Sequence, residues 1–237
     1  MSLSNEFETS GNWLFKYRSY LPLMILPLLF YSLLTPLNSV TLNMLLIIGL
    51  FISCIGECLR IYTIAFVPSG TSGRNTKKQI AFSLNKKGIY STVRHPLYLG
   101  NFLIFLGPFI YTGNIYTIFI FILIFWIYYE RIMFAEEVFL TEKFGKEYIE
   151  WASKTPAFIP NLMLFSPINS NFKISKVLLQ EYSGICGIIA IFTIIIAFRN
   201  YYHNLIPTLS DYWKIIFIFN IVFFISIRTI KKISYNR

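Results

Sequence analysis

Charged residues and cysteines are scarce in this sequence. Only 14% of its 237 residues are charged, whereas about one-quarter is usual for a soluble domain. Its three cysteines, Cys54, Cys58 and Cys186, imply no disulfide framework, and no His or Asp lies near the first two as a further metal ligand. The N-terminus lacks a short apolar core followed by a small-residue cleavage site, so no signal peptide is predicted.

Apolar residues make up 55% of the chain and are concentrated in runs. The runs cover about residues 20–35, 42–67, 97–111, 115–129, 183–198 and 213–227. Because about 20 helical residues cross the hydrocarbon of a bilayer, we predict an all-α, polytopic transmembrane helix bundle of about six spans. The third and fourth runs are joined only by residues 112–114, which predicts a central helical hairpin.

The formal net charge of +10 is unevenly distributed. Lys and Arg crowd the loop 68–94, the segment 130–180 and the C-terminal tail, whereas the opposite side has only Arg199 and Lys214. The positive-inside rule therefore predicts a multi-pass integral membrane protein with both termini and both long loops in the cytoplasm, which we expect in a bacterial inner membrane. This asymmetry accounts for the basic charge, so no nucleic-acid partner is expected.

The densest polar motif is Gly88–Gly100, at the start of the third apolar run. Pro96 suits the first turn of a helix, which would place Arg94 and His95 at a helix N-terminus that favours anions. Gly100 permits close approach of a ligand or another helix. Alternatively, Arg94 is a snorkelling interface charge and His95 merely caps the helix.

Three acidic residues follow the fourth run: Glu130, Glu136 and Glu137. Carboxylates at a membrane boundary are costly unless they are paired or hydrated. The hairpin returns this segment to the start of the third run, so we expect Arg94 and His95 to face one or more of these carboxylates. The alternative is a solvated acidic turn that balances the neighbouring arginine of the same segment.

The amphipathic stretch that follows carries Leu140, Phe144, Tyr148 and Trp151 at helical spacing. This pattern predicts a helix on the membrane surface, broken near Gly145. The run RHPLYLG, a hairpin, EEVFLTEKFGKEYIEW and a proline-bounded FIP together resemble the isoprenylcysteine carboxyl methyltransferase family, and are similar to the related phospholipid N-methyltransferases. The resemblance spans about residues 88–160, although Ala157 stands where many relatives carry a basic residue.

The resemblance implies S-adenosylmethionine as the methyl donor, bound at the cytoplasmic end of the hairpin. By that likeness the cofactor-binding residues are Tyr90, His95, Pro96, Tyr98, Gly100, Glu136 and Glu137, and the catalytic residues are Arg94 and Glu137. Carboxylates and aromatic faces stabilise a cationic sulfonium. An acceptor carboxylate or phosphate is already nucleophilic, so the protein mainly supplies alignment, and Arg94 could orient the acceptor bidentately.

The loop 68–78 combines glycines and small residues with basic side chains. It could form an anion-binding nest in which Arg74 and Asn75, with Arg94, bind a phosphate-bearing substrate, or it could be a flexible loop touching anionic lipid headgroups. Farther upstream, Glu57 and Arg60 are three residues apart and can pair on one helix face.

These observations predict S-adenosylmethionine-dependent methylation of a membrane-embedded lipid or prenyl acceptor, at a carboxylate or a lipid phosphate such as that of lipid A. We expect an N-terminal span at 1–40, a methyltransferase core at 41–165 and an accessory pair of spans at 166–237, with no obligate protein partner evident. A membrane reductase that uses NADPH and a small-molecule transporter are the alternatives; the transporter predicts polar residues at mid-span.

Overall fold

The computed structural model of the protein describes residues 2–67, 79–168, 172, 174–205 and 209–235. Within these ranges the chain is helical and contains no strand, which confirms the predicted all-α class. The α-helices are α1 (Leu3–Tyr17), α2 (Leu21–Ser32), α3 (Ser39–Phe66), α4 (Pro96–Thr112), α5 (Ile115–Phe144), α6 (Lys146–Ala152), α7 (Ile174–Tyr202) and α8 (Asp211–Tyr235).

Four helices of the described ranges are long and apolar enough to cross a membrane: α3, α5, α7 and α8. Large apolar side chains of α8 are exposed, including Ile215, Ile218 and Phe219, as expected for a surface covered by lipid. The chain is an integral membrane protein. The apolar helices at 23–32 and 96–112 are shorter, so the predicted number of about six spans is not confirmed.

The predicted central hairpin is formed by α4 and α5. Gly113 ends α4 in the left-handed region, with φ 70°, where a residue without a Cβ is favoured. The Asn114 side chain then accepts hydrogen bonds from the backbone N–H groups of Tyr116 and Thr117, at 3.1 and 3.2 Å, and so caps α5. Because this turn is short, the far end of α5 is brought back beside the start of α4.

Helix α5 extends well beyond the predicted apolar run and ends at Phe144. Gly145 has φ 54° and separates it from α6, so the predicted break near Gly145 is confirmed. A residue at this position with a positive φ and no Cβ lets the chain change direction at low cost. The additional turns of α5 carry Glu136 and Glu137, which therefore lie on the same rigid helix as the hairpin.

Small residues bring α3 and α4 into close contact. A Cβ on Gly56 would lie 2.6 Å from the carbonyl oxygen of Gly100, and the Ser53 hydroxyl donates to the Ile104 carbonyl at 2.9 Å. Such residues allow membrane helices to approach closely. Arg60 lies one turn beyond Gly56, so the same seam places the Arg60 side chain against α4.

Helix α1 was not among the predicted elements. It packs along α5, where Arg131 donates to the Ser10 hydroxyl at 2.9 Å and the Tyr128 hydroxyl donates to the Leu14 carbonyl at 3.2 Å. Arg131 thus contacts α1 instead of serving only to balance an acidic turn. The packing of α1 brings its last turn, with Phe15, towards the polar end of the hairpin.

Helix α7 is attached to the rest of the bundle near both of its ends. Glu181 pairs with Arg60 near its start. Near its end the buried Arg199 donates to the backbone carbonyls of Thr35 and Thr112, at 3.2 and 2.9 Å. The carbonyls at a helix C-terminus lack partners within the helix. Arg199 therefore supplies a hydrogen bond to the carbonyl of the last residue of α4 and joins α7 to the hairpin.

Candidate active site at the polar end of the hairpin

The backbone of the Gly88–Gly100 motif is held by a strap that we define as residues 155–166. The strap bonds are Arg94 N to Pro156 O at 2.9 Å, His95 N to Ala157 O at 3.2 Å, Asn161 N to Thr92 O at 2.9 Å and Gly88 N to Ser166 O at 2.7 Å. His95 is the residue that precedes α4, and Pro96 occupies its first turn, where the missing N–H of proline has no cost. The strap therefore fixes the entry into α4 and the two polar side chains just before it.

Five side chains form a connected group that we call the mouth cluster: Arg94, His95, Tyr98, Glu136 and Glu137. Arg94 Nη1 donates to Glu137 Oε2 at 2.9 Å, and the Tyr98 hydroxyl donates to Glu136 Oε2 at 2.8 Å. His95 lies between the carboxylates, with Nε2 at 2.9 Å from Glu137 Oε1 and Nδ1 at 3.7 Å from Glu136 Oε2. The structure thus brings α4 and α5 together through the predicted pairs, whereas Glu130 is exposed outside the cluster.

The electrostatics of the mouth cluster favour a charged histidine. Burial by itself lowers the pKa of His95, but the hydrogen bonds and the charges of Glu136 and Glu137 outweigh it, so the pKa is raised above its ordinary value. His95 is 5% exposed, and each of its ring nitrogens faces a carboxylate. The imidazolium and the Arg94 guanidinium then balance the two carboxylates while leaving their other oxygen lone pairs available.

Aromatic residues surround this cluster. Burial, assisted by the charge of Glu136, raises the pKa of Tyr90, and burial assisted by Glu137 raises the pKa of Tyr148. Both phenols therefore keep their protons at neutral pH. The indole nitrogen of Trp151 is buried and has no hydrogen-bond partner among the residues that the structure describes.

A cavity of about 500 Å³ opens beside the cluster, within the range of about 300–1,000 Å³ typical of small-molecule sites. Of the sequence-predicted residues, Tyr90, Arg94, His95, Pro96, Tyr98 and Glu136 line it. Glu137 is not among the residues that line the cavity, but it bonds to Arg94 and His95, which are. Gly100 is buried against Arg60 of α3 and does not line the cavity. Arg74 and Asn75, together with the rest of the loop 68–78, lie outside the described residues.

A second polar group, the deep cluster, comprises Arg60, Asn101, Tyr129 and Glu181. Arg60 binds Glu181 bidentately, through Nε and Nη2 at 2.9 Å each, and donates from Nη1 to Asn101 Oδ1 at 2.7 Å. Asn101 Nδ2 in turn donates to the Tyr129 hydroxyl at 3.2 Å. The sequence predicted Glu57 as the partner of Arg60; the structure instead assigns this ion pair to Glu181, because α7 packs against α3.

The two clusters are adjacent but lie at different depths. Asn101 is about one turn past Tyr98 along α4, and Tyr129 is about two turns before Glu136 along α5. The rings of Tyr98 and Tyr129 are 5.0 Å apart, so the two clusters meet at this aromatic contact. Only tertiary packing identifies the deep cluster, since no local spacing in the sequence connects residue 60 to residue 181.

Comparison with known proteins gives this site a family context. The sequence profile of the phospholipid methyltransferase family matches residues 41–147. The protein-S-isoprenylcysteine O-methyltransferase of Schizosaccharomyces pombe is 34% identical over 110 residues, which are 45% of this chain and 46% of the relative. The Saccharomyces cerevisiae protein of the same name is 35% identical over 133 residues, 55% of this chain and 52% of the relative.

A bacterial relative has a different name. The cobalt-zinc-cadmium resistance protein CzcN of Cupriavidus metallidurans is 37% identical over 83 residues, 35% of this chain and 38% of the relative. Among the residues that the structure describes, no group of three His, Cys, Asp or Glu side chains is placed to hold a metal ion.

The alignments with the two yeast proteins span about half of each relative's length. No solved structure gives a significant match to the chain. The family match contains all five residues of the mouth cluster and three of the four residues of the deep cluster, but not Glu181. The resemblance predicted from the sequence is therefore confirmed: residues 41–147 are similar to the phospholipid methyltransferases, and the chain is similar to the protein-S-isoprenylcysteine O-methyltransferases.

Proposed function

We propose that this protein is an S-adenosylmethionine-dependent methyltransferase that acts on an oxygen of a lipid or prenylated acceptor in the membrane. The observation that carries the proposal is the mouth cluster: two carboxylates, a histidine and an arginine beside a cavity, within the segment that is similar to known methyltransferases. The acceptor oxygen belongs to a carboxylate, as the names of the relatives suggest, or to a lipid phosphate such as that of lipid A.

The residues present suit the proposed donor. A molecule with both a cationic sulfur and polar hydroxyl and amino groups needs carboxylates, aromatic faces and N–H donors. Glu136, Tyr98 and Trp151 line the cavity and carry these groups, and the Trp151 indole N–H has no hydrogen-bond partner within the described part of the chain. When bound, S-adenosylmethionine supplies a methyl carbon on a cationic sulfur; the new C–O bond forms as the C–S bond breaks, and the electron pair stays on the neutral thioether.

The protein's own groups then act mainly by alignment. Glu137 fixes Arg94 and His95 through two bonds of 2.9 Å each, and the strap fixes their backbone. An anionic acceptor has no proton to lose, so no strong base is required, and holding the reactants in position is the principal contribution. Arg94 and Glu137 remain the proposed catalytic pair. Arg94 lies near the acceptor, and Glu137 orients the Arg94 guanidinium.

The proposed setting is the inner membrane of a bacterium, with the termini and the mouth cluster on the cytoplasmic side. The excess of Lys and Arg in the loop 68–94 and the segment 130–180 supports this orientation. Loop 68–78, with Arg74 and Asn75, would contact an anionic headgroup there. The proposed core is 41–165, flanked by the N-terminal span 1–40 and the accessory pair 166–237.

The proposal is tested with detergent-purified full-length protein. Binding of S-adenosylmethionine is measured by calorimetry for the wild type, for His95→Gln and for Glu137→Gln. Glu130→Gln is the matched control, because it removes an exposed carboxylate of the same helix outside the cluster. Saturable binding by the wild type and the control, lost in both cluster variants, together with transfer of labelled methyl into a lipid extract, supports the proposal.

Absence of binding by folded wild-type protein would remove the methyltransferase proposal. The same calorimetric titration with NADPH would then identify the reductase alternative. Equal binding by all four proteins would move the donor site away from the mouth cluster.

A further inference from the structure

The strap contains an exposed apolar turn, residues 159–165, none of which lines the cavity. We propose that this turn inserts into the membrane leaflet beside the mouth cluster, and that the lysines on either side of it bind anionic lipid headgroups there. The partner of this surface is therefore a lipid bilayer with anionic headgroups. Because the surface lies outside the cavity, the inference is independent of the proposed methyltransferase function.

The turn presents several large apolar side chains to its surroundings. Ile159 is 78% exposed, Leu162 72%, Met163 95% and Phe165 50%. Single exposed apolar residues are normal, but a contiguous group of them marks a protein or membrane contact. Residues 155–172 also carry no charged side chain, whereas about one residue in four is charged in a soluble domain. The segment therefore has the composition of a surface that is not in contact with water.

The backbone of the turn is already suited to an apolar environment. Residues 162–164 form a short 3₁₀ helix. The Asn161 side chain accepts from the Met163 N–H at 3.1 Å, and the Leu164 N–H donates to the Asn161 carbonyl at 3.1 Å. Backbone groups that leave water need partners within the protein. These bonds supply such partners while the apolar side chains remain exposed.

The strap holds the turn near the end of a membrane-spanning helix. The Gly88 N–H donates to the Ser166 carbonyl at 2.7 Å, and a Cβ on Gly88 would lie 3.8 Å from the Tyr62 ring. Tyr62 is one turn before Phe66, the last residue of α3, a helix long and apolar enough to cross a membrane. Met163 is three residues from Ser166, at most about 11 Å along the chain. The turn therefore lies close to the level at which α3 leaves the bilayer.

Lysines flank the apolar turn on both sides. Lys154 is exposed and precedes the charge-free stretch, and Lys173 and Lys176 follow it in sequence. The Lys176 ammonium donates to the carbonyl of Val67, the first residue after α3, so it lies at the same helix end. Basic side chains near a membrane surface are attracted to anionic headgroups. Apolar residues between lysines thus match a leaflet that places anionic headgroups over hydrocarbon.

The sequence between the described ranges offers little apolar cover for this turn. Segment 68–78 consists of proline, glycines, small polar residues and basic residues, and segment 169–171 is polar. Ile206 follows the last described residue after α7, whose 29 residues span about 43 Å from the strap end of that helix. Covering an apolar surface requires other apolar surface, so the hydrocarbon of the bilayer is the better candidate.

Insertion of the turn would also set the depth of the mouth cluster. The strap bonds the backbone N–H groups of Arg94 and His95 through the carbonyls of Pro156 and Ala157, at 2.9 and 3.2 Å. These bonds lie only a few residues before the exposed turn. A turn seated in the leaflet would therefore hold the two polar side chains at a fixed distance from the lipid surface.

The test uses full-length protein reconstituted in vesicles of phosphatidylcholine with about one-quarter phosphatidylglycerol. Cys54, Cys58 and Cys186 are changed to alanine, and Met163→Cys is labelled with the fluorophore NBD. Spin-labelled phosphatidylcholine quenches a label in contact with lipid, and iodide quenches one in contact with water. We expect lipid quenching, with iodide quenching at least about fivefold weaker than at a water-exposed control site, as for side chains about 5–10 Å into the headgroup–acyl boundary.

Controls define the two limits and test the role of the turn. Glu150→Cys, on the exposed face of α6, is the water control, and Ile218→Cys, 62% exposed on α8, is the lipid control. Adding Leu162→Asp to the labelled Met163→Cys protein should move the label towards the water limit, because a charge in the boundary is costly. Ser153→Asp, which places the same charge outside the turn, should leave both quenching values unchanged.

The lysine contribution is tested by replacing phosphatidylglycerol with phosphatidylcholine. The label at residue 163 should then shift towards water relative to the Glu150→Cys label, and identical quenching in the two kinds of vesicle would overturn the assignment of the lysines to anionic headgroups. If the cysteine-free protein does not fold, Met163→Trp in the otherwise native chain, with brominated phosphatidylcholine as quencher, gives the same comparison as a difference from the unsubstituted protein.

Three results would overturn membrane insertion of the turn. The first is iodide quenching at residue 163 equal to that of the Glu150→Cys label. The second is protection from both quenchers, which would show that protein covers the turn; loss of that protection at a lower protein-to-lipid ratio would identify a second copy of the chain. The third is unchanged quenching on addition of Leu162→Asp.

Discussion

The mouth cluster and the deep cluster differ in how the chain assembles them. The mouth cluster joins residues 43 positions apart, Arg94 and Glu137, through one short hairpin. The deep cluster joins Arg60 to Glu181, 121 positions apart, and needs α3, α4, α5 and α7 to pack together. The mouth cluster depends on one turn and two rigid helices, and the deep cluster depends on the packing of four helices.

The clusters also differ in exposure and charge. The mouth carboxylates are partly exposed, at 32% for Glu136 and 25% for Glu137, and each has oxygen capacity left for a cationic ligand. Glu181 is fully buried and neutralises an arginine. The mouth cluster is thus suited to exchange a soluble cofactor, whereas the deep cluster is suited to present hydrogen-bond donors in a fixed direction.

Breaking the deep ion pair should have the largest effect on stability. In Glu181→Ala the Arg60 charge loses its buried partner, which should lower the free energy of unfolding by about 3–5 kcal/mol. The double variant Arg60→Met/Glu181→Leu should recover most of this loss, because neither charge remains. Denaturant unfolding in detergent, followed by circular dichroism, measures both values, and equal stability of the two variants would contradict the prediction.

Breaking the mouth cluster should weaken donor binding and leave the deep cluster intact. Glu137→Gln weakens charge-assisted bonds to Arg94 and His95, each worth about 1.5–3 kcal/mol. We expect the affinity for S-adenosylmethionine to fall at least tenfold, a loss of about 1.4 kcal/mol or more. An affinity within twofold of the wild type would contradict the prediction.

Widening the α3–α4 seam should separate Arg60 from Asn101. A Cβ at Gly56 would lie within 2.8 Å of backbone atoms of α4, so Gly56→Ala should cost about 1–3 kcal/mol through overpacking. Gly187→Ala is the matched control, since a Cβ there meets nothing within 4 Å, and alanine in a helix should be neutral or slightly stabilising. Thermal midpoints of the two variants provide the comparison.

The smallest effect should come from pH. Because the pKa of His95 is raised in the folded protein, the charged imidazolium contributes stability that is complete below the unfolded pKa of about 6.5 and is lost as pH rises through the folded pKa. Thermal midpoints should therefore decline across this window in the wild type. His95→Gln should abolish that component, whereas His203→Gln, which changes the chain's second histidine, should keep it.

Much of the mouth cluster could be predicted from the sequence. The Gly113 turn is short enough to set which residues of α4 and α5 face each other, so Arg94 and His95 were expected to meet a carboxylate on α5. The break at Gly145 follows from glycine chemistry. Reasoning from the residues alone left Glu130 open beside Glu136 and Glu137, and only the family resemblance favoured the latter two. The structural reason for that choice is the rotation of α5 about its axis, which is set by packing against α1 and α4.

The position of α1, the number of spans and the partner of Arg60 could not be predicted from local sequence patterns. Helix α1 is amphipathic and charged, so it lies below the hydropathy of a span, and its packing on α5 depends on contacts such as Arg131 with Ser10. The number of spans was also uncertain, because α2 and α4 are short. Arg60 was paired with Glu57 on spacing alone, whereas the available partner lies on a helix more than 100 residues later.

The sequence by itself determined the membrane class, the hairpin and the identity of the polar residues at its open end, because hydropathy, turn chemistry and short-range helical spacing act locally. Only the tertiary structure decided that α1 closes on α5, that Glu181 rather than Glu57 holds Arg60 and that α7 borders the cavity. These features arise from close approach at small residues and from the burial of charges, both of which depend on which helices become neighbours.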